Sequence, residues 1–332
     1  MKRLCYTFYI IGLILIMNQK THAQDLLKES FKDQCEAVAE VPFNHINPLL
    51  VFDIVKATTL PRNFRTMHDQ FLQAQKMVAT YEGLQHVHAS ASAQFSEKNL
   101  IHALPHMRGQ VYIVDLRRES HGFLAGQPIS WYGRENFSNA GMTCSEIREV
   151  EHGLLKHLST LKFLSINRIV KKTNGSISCI LQCRVPLQKL ETEAQLVNRL
   201  GLNYVRFLVS DHHIPDDSTV DDFLKFVNSL PSKAWLHFHC RGGRGRSSIF
   251  LAMFDIIHNG SYLSLENILE RQFLLGSVDL QKLPTASKKM WKLRKRQMRI
   301  TFMRRFYEYV RDPQGYGKMS WTAWQGSQKE IF

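Results

Sequence analysis

The hydrophobic pattern is sharpest between residues 235 and 258, where it changes period in mid-run. Trp235-Leu236-His237-Phe238-His239-Cys240 reads as a buried strand, the glycine-rich stretch from Arg241 to Arg246 as a tight loop, and Ile249–His258 as a helix. Val111–Leu116 has the character of another buried strand. From residue 145 onward, helices over Ser145–Leu161, Glu191–Leu200, Val220–Leu230, Leu263–Leu274 and Ala286–Val310 are interspersed with strands at Phe163–Arg168, Ser176–Gln182 and Asn203–Val209. That alternation predicts an α/β fold with a mostly parallel sheet carrying helices on its faces. Ahead of it the pattern is weaker, with helices expected near Leu26–Val38, over Gln70–Ala79 and from Glu97 to Leu104. The tail from Gly315 to Trp324 is apolar enough to dock on the domain.

Residues 1–23 interrupt this scheme. Lys2-Arg3, an apolar run from Tyr6 to Met17 and the small-residue end Thr21-His22-Ala23 read as a secretory signal, too short in its apolar part to span a membrane. The reading is an exported protein, periplasmic or secreted, whose mature part begins near residue 24. Apolar residues make up 44% and charged residues 22% of the 332-residue chain, which describes an ordinary globular protein of one domain, with or without an insert. With Lys+Arg 43 against Asp+Glu 29, the formal charge is +14, and removal of the leader leaves the chain strongly basic. Such a balance favours polyanionic partners.

After the leader the cysteines are Cys35, Cys144, Cys179, Cys183 and Cys240, an odd number that leaves at least one free thiol. Cys240 is the obvious one. Cys179 and Cys183 lie on a strand pattern with no second ligand pair nearby, which argues against zinc. For the other four, a disulfide and plain buried thiols are both open.

The loop after Cys240 carries the chemistry. Gly242, Gly243 and Gly245 allow successive backbone N–H groups to point at one spot, and the helix starting near Ser247 adds its positive end there. In this anion cradle Cys240 is held as a thiolate by those dipoles and by Arg246, whose guanidinium can grip two phosphoryl oxygens. The spacing Cys-x5-Arg with His239 before and Ser247 after is the signature of cysteine-dependent phosphatases. A nucleotide-binding loop is excluded because no Gly-Lys-Ser/Thr triplet follows the glycines. Asp211, on a strand-end loop some thirty residues earlier, is the candidate general acid for the leaving alkoxide. Asp216 and Asp217 are expected to cap the following helix. Glu119 lies past the end of the Val111–Leu116 strand, where open α/β sheets place their ligands. Between Lys288 and Arg305 the last long helix carries nine basic residues and no acidic one, with Met290, Trp291, Leu293, Met298, Ile300, Phe302, Met303 and Phe306 as its expected buried stripe.

Together Asn63-Phe64-Arg65, Ser90–Lys98, Val111–Trp131, Asp211-His212, Trp235–Arg246, Trp291-Lys292, Phe306-Tyr307 and Trp321 resemble the bacterial protein-tyrosine-phosphatase-like inositol polyphosphatases, or cysteine phytases. The resemblance implies a phosphatase core spanning 24–332, with a small partial β-barrel insert within 46–110 plus nearby segments. It also implies stepwise removal of phosphates from myo-inositol hexakisphosphate through a cysteinyl-phosphate. Carried over by motif, Cys240 is the nucleophile, Asp211 the acid and Arg246 the clamp, with Glu119 and His239 supporting. Arg241, Gly242, Gly243, Arg244, Gly245 and Ser247 line the phosphate loop, and Arg65, His212, Lys292 and Arg299 would contact substrate phosphates. A further lysine of the family site would fall at Lys171 or Lys172. Two positions depart from the family pattern. Arg241 and Arg244 stand where acidic or apolar residues are common, and Asn136 stands where an acidic residue is expected.

The first reading is therefore an inositol polyphosphate phosphatase with no cofactor, no metal and no nucleic-acid partner. The alternative keeps the chemistry and changes the substrate to a phosphoinositide lipid, with an anionic membrane surface as partner, or to phosphotyrosine. A reading of another class is a non-catalytic polyanion-binding protein, against which the intact Cys240, Arg246 and Asp211 set argues.

Overall fold

The computed structural model describes residues 35–38, 47–53, 59–72, 79–133, 136–171, 177–282 and 290–329. The leader expected at 1–23 lies outside them. In chain order the strands are β1 (Cys35–Val38), β2 (Leu49–Phe52), β3 (Arg65–Thr66), β4 (Ala89–Ala93), β5 (Val111–Asp115), β6 (His121–Leu124), β7 (Gln127–Tyr132), β8 (Phe163–Lys171), β9 (Ile177–Pro186), β10 (Leu190–Glu191), β11 (Asn203–Arg206) and β12 (Trp235–Cys240). The helices are α1 (Glu97–Ala103), α2 (Cys144–Ser159), α3 (Glu193–Arg199), α4 (Asp217–Ser229), α5 (Gly245–Asn259), α6 (Leu265–Leu274), α7 (Met290–Arg311) and α8 (Trp321–Lys329). No helix among the described residues is long and apolar enough to cross a membrane.

The expected central sheet has the order β11-β5-β12-β4-β3, and its first four strands run parallel. Every residue of β12 is buried, Trp235, Leu236 and Phe238 in apolar contacts and His237 and His239 as polar groups with partners in the interior. One face packs Val114, Leu236 and Phe238 against Phe223 of α4 and Phe250 and Phe254 of α5, with Phe306 and Trp321 of α7 and α8 beyond. The other packs Ile113 and Trp235 against Leu100 of α1 and Leu196 of α3. Helix α5 is buried on nearly every side from Arg246 to Ile256, as a helix apolar all round must be. The docked tail is helix α8, where Trp321 and Trp324 are almost wholly buried.

A second sheet, with the order β1-β9-β8-β2-β7-β6-β10, is antiparallel except where β2 meets β8. It corrects the expectation that Phe163–Arg168 and Ser176–Gln182 join the main sheet. They form a hairpin pair with Ile166 opposite Cys183. Only a few residues separate them, and parallel neighbours need a crossover of about a dozen. The sheet ends at β1 and β10 without barrel closure. Of the span 46–110, Leu49–Phe52 joins this sheet, whereas Arg65–Thr66 and Ala89–Ala93 belong to the central one. Residues 35–38 are strand β1, not the end of a helix, and the helix expected over 70–79 falls largely outside the described residues. Cys183 is disulfide-bonded. Cys144 and Cys179 are free, neither of them fully buried, so the picture of plain buried thiols does not hold.

Because β5, β11, β12 and β4 are parallel, their carboxyl ends lie along one edge. Asp115 is level with both Arg206 and His239, and Cys240 with Ala93. The loops that leave this edge carry Glu119, Asp211 and residues 241–246.

Candidate active site

Cys240 ends β12 with its side chain buried. Burial pushes its thiol up, but Arg246 and the hydroxyl and N–H of Ser247 more than offset this, so the thiol sits below its ordinary value. The loop closes over it through Gly243, whose φ is +64°. A Cβ there would lie 2.1 Å from the backbone N of Ala93, so only glycine permits this approach to β4. The carbonyl of Gly242 accepts from Asn63 at 2.8 Å, and that of Gly243 from Arg65 at 2.8 Å.

Arg246 is fixed from below. Its two terminal nitrogens donate to the two oxygens of Glu119 at 2.8 and 2.9 Å, and one also meets the carbonyls of Leu116 and Val209. Its Nε is buried without a partner, the donor left over for a phosphoryl oxygen. Burial pushes the Glu119 carboxyl up, yet Arg246 and Arg117 hold it far below the usual carboxylate range. Asp211 lies 3.5 Å from Arg246. Its Oδ1 accepts from its neighbour's N–H, on His212, at 2.9 Å, and its Oδ2 from Asn136 at 2.9 Å. Burial raises the Asp211 carboxyl, while Arg246 and His212 lower it, and the balance is a lowered value. Asp216 caps α4, accepting from the N–H of Thr219, and stays out of the site as expected.

The residues expected to contact substrate divide into two groups. Arg299 is 8% exposed, makes no hydrogen bond through its buried Nε, and would sit 3.0 Å from a Cβ at Gly245. It is a cation above the loop that Asp211 and Cys240 help to hold charged against burial. His212, at φ +63°, packs its ring 5.2 Å from Trp291 and borders the acid. Arg244 is exposed at the loop's rim.

Two others are engaged by groups of the protein. Arg65 is 3% exposed and lies under the loop, where it donates to Ser277, Asn63, Gly243 and Ser248. In this position it braces the loop backbone and its supports, and its expected contact with substrate stays a proposal. Arg241 turns away from the loop to Asp53 and lies 4.3 Å from the ring centroid of Tyr132. Lys292 lies on α7, but its side chain is outside those described, as are the side chain of Lys171 and the whole of Lys172. The stripe of α7 is also narrower than expected. Ile300, Phe302, Met303 and Phe306 are buried, whereas Met290 and Met298 face solvent.

Beneath the loop lies a buried polar network. His239 reaches Glu193 at 2.6 Å, and His121 Nε2 lies 3.2 Å from both Asp115 and Glu193. These last three residues are the group among the described ones that could surround a metal ion. Nδ1 of His121 is 2.8 Å from the carbonyl of Glu119. Burial disfavours the charge on His121, while Asp115 favours it and the balance raises its pKa to about 10. Sequence reasoning missed Asp53, Arg117, Asn136 as a donor, and Ser277. Arg117 lay within a recognised motif, but the others come from distant segments with no local pattern.

Comparison with known proteins places these residues in a family. The inositol hexakisphosphate (PTP-like phytase) family model matches residues 114–258. The PTP-like myo-inositol phosphatase of Mitsuokella multacida, solved with myo-inositol-(1,3,4,5)-tetrakisphosphate, is 35% identical with a TM-score of 0.81, covering 88% of this chain and 49% of that one. Effector protein hopD2 of Pseudomonas syringae pv. tomato is 27% identical over 222 residues, which are 65% of this chain and 46% of that protein. The chain thus spans about half the length of these two relatives. A PTP-like phytase of Bdellovibrio bacteriovorus is 32% identical with a TM-score of 0.64, and the match covers 86% of this chain and 98% of that one. With a solved member matched over nearly its whole length at that identity, this chain belongs to the PTP-like phytase family.

Proposed function

We propose that this chain is a cysteine-dependent phosphatase that removes phosphates stepwise from myo-inositol hexakisphosphate. In the first half-reaction Cys240 Sγ attacks phosphorus, the bond from phosphorus to the inositol oxygen breaks, and Asp211 gives its proton to the departing alkoxide. Arg246 Nε and the loop N–H groups carry the charge on the equatorial oxygens. In the second, water attacks the cysteinyl-phosphate, Asp211 takes a proton from it, the S–P bond breaks and inorganic phosphate leaves. Asp211 must be protonated before the first step. A bound phosphate dianion draws on the charge of Arg246 and adds its own, which raises the Asp211 carboxyl from its lowered resting value.

The observation that carries the substrate assignment is Arg299. A guanidinium 8% exposed, with no ion pair to a carboxylate among the described residues and set beside the loop rather than within it, suits a phosphate other than the one being cleaved. We propose further that the chain is exported, on the strength of its leader-like residues 1–23.

The test is phosphate release from soluble inositol hexakisphosphate, phosphoinositide vesicles and a phosphotyrosine peptide, side by side and with chelator present. Preference for the soluble polyphosphate, with a rise in KM for it in Arg299→Ala that salt diminishes, supports the proposal. Preference for vesicles or peptide would replace the substrate, and no release from any of the three would remove the activity.

A further inference from the structure

Asn136 stands between two carboxylates that the mechanism uses differently. Its side chain is 5% exposed, and its Nδ2 donates to Glu119 Oε1 at 3.1 Å and to Asp211 Oδ2 at 2.9 Å. Both hydrogens of the amide are thereby used, one on the group that holds the phosphate clamp and one on the acid. The backbone is left-handed here, φ +65°, a conformation asparagine tolerates better than other residues with a side chain. The side chain enters from the loop after β7 in the second sheet, whereas Glu119 and Asp211 leave the central sheet.

We propose that Asn136 is a positioning residue that orients the Asp211 carboxyl and sets the pH range over which it serves as the acid. An amide N–H can only donate, so its bond to Oδ2 favours the ionised carboxyl and disfavours a proton on that oxygen. With Oδ1 accepting from the His212 N–H, both oxygens of Asp211 are engaged, and the plane of the carboxyl is fixed relative to Arg246. The other charged or titratable groups that face it are Arg246 on α5, Glu119 after β5, His212 and His213 on its own loop, Cys240 at the end of β12 and Arg299 on α7. Besides the Cys240 thiolate, Glu119 is the anion beside Asp211 in that set, and Asn136 lies between the two carboxylates. Its dipole shields one carboxylate from the other, a task that a carboxylate at the same position would reverse.

The inference rests on the proposed phosphatase activity. Its test is the pH dependence of kcat for inositol hexakisphosphate and for an activated aryl phosphate in wild type, Asn136→Ala and Asn136→Asp, with folding checked by circular dichroism. The alkaline limb for inositol hexakisphosphate, which reports Asp211 protonated in the complex, should move up by about one pH unit in Asn136→Ala, the scale set by losing one hydrogen bond to a charged group. It should move further in Asn136→Asp, where a third carboxylate makes ionisation of Asp211 harder. At pH below the limb, Asn136→Ala should lose rate on the alkyl ester and little on the aryl ester, whose leaving group needs less protonation. A limb that stays in place while kcat falls equally on both esters would overturn the inference and leave Asn136 a packing residue. If the alanine variant fails to fold, the limb in Asn136→Asp decides alone. A wild type inactive on both esters removes the phosphatase reading and this inference together, whereas an active wild type with unmoved limbs removes this one only.

Discussion

Arg241 donates from Nε to Oδ1 of Asp53 at 2.7 Å, and the other oxygen of that carboxylate receives Arg117 at 2.8 Å. Arg117 in turn reaches Glu119 at 3.1 Å, and Glu119 holds Arg246. The charges alternate along this chain, Arg241, Asp53, Arg117, Glu119, Arg246, and both ends lie in the catalytic loop. Asp53 follows β2, so the second sheet takes part in shaping a loop that belongs to the first.

The Asp53 carboxylate is buried between two guanidinium groups, and its loss would leave Arg241 without this partner and Arg117 with Glu119 alone. Asp53→Ala should therefore destabilise the protein by about 3–5 kcal/mol, the usual cost of breaking a buried pair from one side. Arg241→Ala removes a partly exposed partner and leaves Arg117 in place, so its cost should be about 1 kcal/mol or less. Urea unfolding of both single variants and the double variant measures this, and equal losses from the two singles would contradict the ordering.

For the nucleophile, the lowered Cys240 thiol should be alkylated by iodoacetate with a pH midpoint below that of an ordinary cysteine. Arg246→Met should move the midpoint up, because the nearby cation is lost. Cys240→Ser should abolish turnover while keeping the fold. Mass spectrometry separates Cys240 from free Cys144 and Cys179, and an unshifted midpoint in the Met variant would show that Arg246 does not stabilise the thiolate.

Asp211→Asn should cut kcat on inositol hexakisphosphate by roughly the 10²–10⁴-fold typical of general acids. Activated aryl phosphates should lose much less. Equal losses on both substrates would make Asp211 a structural carboxylate.

Gly243→Ala tests the close approach of the loop to β4. The left-handed backbone alone costs about 1–2 kcal/mol for alanine, and the added Cβ has backbone at 2.1 Å with nowhere to retreat. Stability and activity should fall together. An alanine variant with full activity would mean that the loop can open without harm.

Two buried histidines should give stability opposite slopes on either side of about pH 6.5. His121 is raised to about 10, so the native state keeps a proton that the unfolded chain loses above its ordinary value of 6.5. Its contribution is complete below 6.5 and is lost as pH rises through 10. His237, buried between the hydroxyls of Ser90 and Ser92, is lowered to about 3 by burial first and by His239 and Arg65 next. There the unfolded chain takes the proton first, so stability falls as pH drops from 6.5 toward 3. Thermal unfolding across this range should show both slopes, and His121→Gln should flatten the alkaline one.

The catalytic loop was legible because its constraints are local. A strand ending in Cys240, glycines at 242, 243 and 245, and a helix carrying Arg246 and Ser247 are consecutive residues whose spacing alone sets the geometry of an anion cradle. Strand–helix alternation likewise announced the parallel sheet, since parallel neighbours need a crossover that a helix supplies. Asp211 could be placed on a strand-end loop, and Asp216 on a helix cap, for the same reason.

What the sequence could not decide was which charges meet. Arg65 and Arg299 look alike in the chain, yet one is consumed by four oxygen partners beneath the loop and the other keeps its Nε unpartnered above it. Asp53 and Arg241 are 188 positions apart, and Asn136 is 75 from Asp211, so no period or motif links them. The hairpin of β8 and β9 went to a second sheet because strand character does not specify a partner. Local spacing picked out Cys240 and its glycine-rich loop and placed Asp211 at a strand end. The supports of the cradle, and the partners of each arginine around it, were decided only when the two sheets packed, because a buried charge is held by the groups that the fold brings to it.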